Sequence, residues 1–169
     1  EDAYVRLARL AVETYVATGR PARLPEGLPA ELTGRRAGVF VSLHKGGQLR
    51  GCIGTTSATA PSIAREILQN GVGACAEDPR FPPVTAEELP LLVYGVDVLG
   101  DAEPIDSPDQ LDAKRYGVIV TSGRRRGLLL PDLEGVDTAE QQIDIARRKA
   151  GIGPGEAVSL QRFEVTRHV

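Results

Sequence analysis

Residues 37–55 read AGVFVSLHKGGQLRGCIGT, and the fold is read outward from this stretch. Val39, Phe40 and Val41 are residue types that suit a pleated, half-buried surface. Gly46-Gly47 makes a two-residue reversal, because glycine takes positive φ at both turn positions without a Cβ penalty. Ala37 to Lys45 and Gln48 to Thr55 therefore read as the arms of a hairpin. Pairing Lys45 with Gln48 sets Leu43 against Arg50, Val41 against Cys52 and Phe40 against Ile53. Arg50 and Cys52 would then share a face with Val39, Val41 and Leu43, and His44 would lie opposite, provided no bulge intervenes.

Upstream, Asp2 to Thr18 carries Tyr4, Leu7, Ala8, Ala11 and Tyr15 at helical spacing, with Gly19 as the stop and Pro21 beyond it. Leu24 to Gly34, with Pro25 and Pro29, reads as irregular. Downstream, Pro61 opens a helix to about Ala76, with Ile63, Ile67, Gly71 and Cys75 on one buried stripe. The prolines of Asp78-Pro79-Arg80-Phe81-Pro82-Pro83 predict a stiff extended loop. Thr85 to Glu88 is a capping box, and Leu91 to Leu99 a third strand. Ser107 to Gln110 opens a brief helix. Tyr116 to Ser122 and Gly127 to Leu130 form a second hairpin across Gly123 to Arg126. Thr138 to Gln141 caps a helix ending at Gly151. In the final strand, Ala157 to Arg167, the apolar phase shifts between Val158/Leu160 and Phe163/Val165, which predicts a bulge near Gln161. Tight turns between neighbouring strands, with helices between strand groups, predict an α+β fold with mostly antiparallel sheet.

At 169 residues the chain suits one domain, 1–169, with room for a small lobe whose boundary falls near Gly100 to Pro108. Its net charge of −3 excludes a global field drawing it to nucleic acid or anionic membrane. No apolar run reaches the ~20 residues of a spanning helix. The start, Glu1-Asp2-Ala3-Tyr4, lacks a basic lead and an apolar stretch, so it is not a signal peptide. It also lacks Met, so trimming from a longer chain is expected. Two scattered cysteines, Cys52 and Cys75, make neither a disulfide framework nor a zinc spacing, and reduced thiols in the cytoplasm are expected. No cofactor or metal is predicted.

Leu49-Arg50-Gly51-Cys52-Ile53-Gly54 resembles the signature of the AMMECR domain. Asp78 to Val84, Tyr116 to Val120 and Gly127 to Val136 resemble the same family in the same order, most closely its bacterial branch, the protein A component of the AmmeMemoRadiSam system. The resemblance implies a larger lobe, approximately 1–100 plus 155–169, of mostly antiparallel sheet with flanking helices. It implies a smaller α+β lobe, 101–154, and a cleft between the two. It implies partnership with a Memo-like protein and a radical-SAM protein, and no settled activity. The presumed site is the signature itself. Gly71 and Gly73 depart from the small Ala-like residues usual in the second helix, and Gly95 and Asp97 from the polar or β-forming residues usual in the third strand.

Cys52 is the sharpest candidate for chemistry, since a nearby cation lowers a thiol pKa and Arg50 is two residues away. The plainer reading packs it as a small hydrophobe. Arg50, a charge in an apolar strand, needs a carboxylate partner or an anionic ligand. Asp78, Arg80 and Phe81 read as a preset wall, with Arg80 on an anion and Phe81 on a flat ligand, or as a core plug with its own ion pair. Leu49, Gly51, Ile53 and Gly54 complete the substrate-binding set. Cys75 reads as core. Three functions follow: a thiol enzyme or enzyme subunit with Cys52 and Arg50 catalytic; a non-catalytic binding or adaptor module presenting a substrate or nucleic acid to a partner enzyme; and a nucleic-acid binder using Arg80 and Arg124 to Arg126.

Overall fold

Gly46 and Gly47 adopt φ +60° and +78°, as a tight reversal requires, in the computed structural model, which describes residues 1–169. They join β1 (Val39–Lys45) to β2 (Gln48–Gly54). The chain divides into two compact units, Glu1–Leu99 with Thr166–Val169, and Gly100–Val165.

In the first unit β1 pairs antiparallel with β2 and with β3 (Leu92–Leu99), and β8 (Val165–His168) completes the order β2-β1-β3-β8. Val39, Val41, Leu43, Tyr94 and Val96 alternate onto one face and are buried. They meet α1 (Ala3–Thr18) and α3 (Ile63–Val72) in one hydrophobic core. The Asp2 carboxylate accepts from the Val5 amide at one end of α1, and Gly19 closes the other at φ 72°. Ile63, Ile67, Gly71 and Cys75 are buried, as their spacing predicts.

The expected helix to Ala76 ends sooner. After Val72 the chain widens into a single π-helical turn, Gly73–Glu77. Gly71 lets α1 and α3 approach, since a Cβ there would lie 2.8 Å from the Ala11 Cβ. A Cβ on Gly73 would lie 2.9 Å from Ile53 Cγ2. Both glycines thus accommodate close packing. The irregular connection contains one short helix, α2 (Ala30–Gly34).

The second unit holds β4 (Glu103–Ile105), β5 (Gly117–Ser122), β6 (Arg125–Leu129) and β7 (Ser159–Phe163), in the order β4-β7-β5-β6, all pairs antiparallel. Val118, Val120 and Leu129 share a core with Ala146 of α4 (Ala139–Ala150). The molecule is thus α+β, with two antiparallel sheets.

Two details differ from the sequence reading. The second hairpin turns on Gly123-Arg124 alone, with Ser122 opposite Arg125, because Gly123 at φ 60° suffices for a two-residue turn. The phase shift near Gln161 is not a bulge. β7 pairs without a register break through Gln161 to Phe163, and at Glu164 the chain leaves one sheet for the other, so β7 and β8 bury their side chains independently.

Candidate functional site

The signature lies on β2, an edge strand, and its register has shifted. Lys45 faces Gln48 and His44 faces Leu49, but Leu43 faces Gly51, Ser42 faces Cys52 and Val41 faces Ile53. Arg50 is the extra residue of a bulge. One inserted residue reverses every side chain beyond it. Gly51 and Ile53 therefore turn inward, Gly51 so tightly that a Cβ would lie 2.2 Å from the Ala74 carbonyl oxygen. Cys52 lies with Ser42 on the opposite face, which also carries His44. The expected face shared by Cys52, Val41 and Leu43 does not form.

An edge strand leaves backbone groups unpaired, and here the proline-flanked loop takes them. The Cys52 amide donates to Asp78 Oδ2 at 3.0 Å, and the Cys52 carbonyl accepts from Arg80 Nη2 at 3.3 Å. Arg80 also donates to Asp78 through Nε at 3.0 Å, Nη2 at 2.8 Å and its own amide at 3.0 Å. The Arg80 guanidinium, aided by the two amides, holds the buried Asp78 carboxyl far below the usual carboxylate range. Asp78-Pro79-Arg80 thus seals the edge where a further strand would lie, while 56% of the Arg80 side chain stays exposed.

Arg50 leads elsewhere. Its Nε and Nη2 donate to the two carboxylate oxygens of Glu88 at 2.8 and 3.1 Å, a bidentate pair, while Lys45 Nζ reaches Glu88 at 2.7 Å. Arg50, then Lys45, then the Thr85 amide push the Glu88 carboxyl far down. Glu88 is also the acceptor of the Thr85 capping box, so one carboxylate closes a turn and neutralises a strand charge. The Phe81 ring centroid is 5.9 Å from the guanidinium of Arg50 and 5.5 Å from that of Arg80. Arg50 Nη1 is buried and makes no hydrogen bond within the protein.

Cys52 is half-buried, and burial pushes its thiol up. Arg80 opposes that push, and Asp97 and Asp78 reinforce it. The cation that favours thiolate at Cys52 is thus Arg80. Cys75 is buried, and burial pushes it up to about 11. Leu49 is 38% exposed at the turn end of β2, opposite His44. Gly54 is covered by the Phe40 ring, which passes 2.2 Å from where a Cβ would stand. His168 stacks on Tyr4 and meets Asp2. Arg125 is taken by Glu156 and the Gly151 carbonyl. No group of three or more His, Cys, Asp or Glu gathers as a metal site.

Sequence reasoning missed a second node. Glu66 is fully buried without a cation. Burial disfavours its charge, but the Thr59 hydroxyl, the Ala60 and Thr59 amides and the Thr55 hydroxyl outweigh that and hold its pKa down. Asn70 adds Nδ2 bonds to the Val39 carbonyl and the Thr55 hydroxyl. These bonds fix the segment leaving β2. The signal was present, because residues 66 and 70 fall on the same helical stripe as Ile63 and Ile67.

The profile of the AMMECR1 family matches residues 5–168. This chain belongs to the AMMECR1 family. A Thermotoga maritima protein is 51% identical over 99% of this chain and 98% of its own length. A Clostridium acetobutylicum protein is 46% identical over 99% of the chain, which spans only 36% of that longer protein. An uncharacterised Pyrococcus horikoshii protein of known crystal structure superposes with a TM-score of 0.88, at 34% identity, covering 97% of this chain and 88% of its own. The family assignment and the fold therefore agree, and the family brings no activity with it.

Proposed function

We propose that this AMMECR1-family chain is a binding module which presents a substrate to a partner enzyme through the surface around Leu49 to Gly54, and that Cys52 serves there as a neutral contact. One observation carries this reading: both candidate activators of the thiol are already paired, Arg50 with Glu88 and Arg80 with Asp78, and the thiol is pushed up. A nucleophilic cysteine needs the opposite, a cation free to stabilise thiolate. The half-exposed Arg80 remains able to donate to a ligand carbonyl or anion at the rim, beside Phe81. The setting is a pathway shared with Memo-like and radical-SAM proteins. The resemblance supports it, as does the longer Clostridium relative, in which an AMMECR1 segment is joined to further protein.

The competing reading, a thiol enzyme, draws on Arg80, whose charge does favour thiolate at Cys52. Iodoacetamide labelling across pH separates the two. For a binding module, Cys52 labels more slowly at neutral pH than a free small-molecule thiol, and the rate climbs beyond about pH 9. Cys52→Ser retains capture of a Memo-like partner, while Arg80→Ala weakens it. A labelling rate already level below pH 8, with capture lost in Cys52→Ser, would establish the enzyme instead.

A further inference from the structure

We propose that the groove along the outer side of α3 is a docking site for a short extended peptide of a partner protein, acidic at one end, basic at the other and aliphatic between. The hollow, of about 460 Å³, has none of the signature residues in its lining, so the inference stands apart from any role of Cys52. That volume lies within the range of ligand pockets. Ala22, Leu68 and Val72 supply apolar surface, and the segment Thr59–Pro61 makes one wall.

That wall is pre-set. The Thr59 and Ala60 amides donate to buried Glu66, and the Ala60 carbonyl accepts from Arg36 Nε at 3.0 Å. Gln69 Nε2 is spent on the Thr59 hydroxyl. With these groups satisfied internally, recognition falls to the charged side chains. Arg65 and Glu77 line the groove, are exposed and have no ion partner. They stand twelve residues apart on α3 and its π-helical continuation, about 18 Å at helical rise. An extended chain covers that distance in five or six residues. Opposite charges at the two ends and hydrocarbon between them match a peptide with an acidic side chain over Arg65, a basic one over Glu77 and aliphatic side chains on Leu68 and Val72.

The test is an NMR titration of the full chain with acetylated, amidated Glu-Ala-Leu-Leu-Ala-Lys, beside versions carrying Glu at both ends or Lys at both ends. The mixed-charge peptide should shift the Leu68 and Gln69 resonances and bind about fivefold more tightly than either single-sign peptide, the scale expected of exposed ion pairs. Glu77→Arg should transfer the preference to the Glu-ended peptide, and Arg65→Glu to the Lys-ended one. Both positions are exposed, so the variants should fold, which circular dichroism checks. No shift at low-millimolar peptide, shifts elsewhere, or an unchanged preference in both variants would overturn the proposal. So would equal shifts with ε-aminocaproate alone, which would mark a small-molecule pocket.

Discussion

At Asp78 a single carboxylate accepts from the Cys52 amide, the Arg80 amide and the Arg80 guanidinium, and it does so while buried. Asp78→Ala removes the acceptor and leaves the edge of β2 uncovered. The expected loss is about 2–3 kcal/mol in urea unfolding, with faster native alkylation of Cys52. Glu88 presents a harder case, because its partner Arg50 is only 11% exposed. Glu88→Gln should cost about 3 kcal/mol, since it strands a guanidinium of which one nitrogen already lacks a partner. Adding Arg50→Met should recover most of that loss. If the double variant is no more stable than Glu88→Gln alone, charge burial is not what makes the pair necessary.

At the scale of elements, close backbone contacts rank the glycines. A Cβ at Gly51 would meet a backbone carbonyl at 2.2 Å, whereas one at Gly71 would meet a methyl group at 2.8 Å. Strand β2 and the π turn must separate for the first, while the second needs a small helix shift and regains about 1 kcal/mol of helix propensity. Gly51→Ala should therefore lower the melting temperature well below that of Gly71→Ala, and a reversed order would contradict the packing described for β2. Local signals explain how much of this was legible in advance. Glycine pairs, capping boxes and helical stripes each act within a few residues, and they located α1, α3, α4 and both hairpins. The bulge at Arg50 had no local signature, and it alone moved Cys52 to the other face. Strand β4, three residues long and containing Pro104, lies below the length at which alternation is readable. Of the candidate site, the motifs pointed to β2 and to the Asp78–Arg80 loop that bonds the Cys52 backbone, but not to the turn of Arg50 away toward Glu88. Glu88 was not legible, because its capping role already accounted for it.

For the whole molecule, a net charge of −3 is too small for general repulsion to dominate, so pH dependence should follow particular groups. Asp78, Glu88 and Glu66 are all more acidic folded than an ordinary carboxyl. As pH falls through about 4, the unfolded chain takes up protons that the folded one still refuses, so stability is complete above that range and drains away below it. At the other limit, burial raises Cys75 to about 11 and Tyr94 to about 12. Above about pH 9 the unfolded chain loses these protons first, and stability falls again. Denaturation midpoints should thus be level from about pH 5 to 8.5 and decline on both sides. Asp78→Asn with Glu88→Gln should lower the plateau yet flatten the acid limb. Cys75→Ala should leave the acid limb alone and soften the alkaline one. An acid limb as steep in the double variant as in the parent would mean that other carboxylates set it, and that the two pairs framing the signature contribute little to the acid response of the fold.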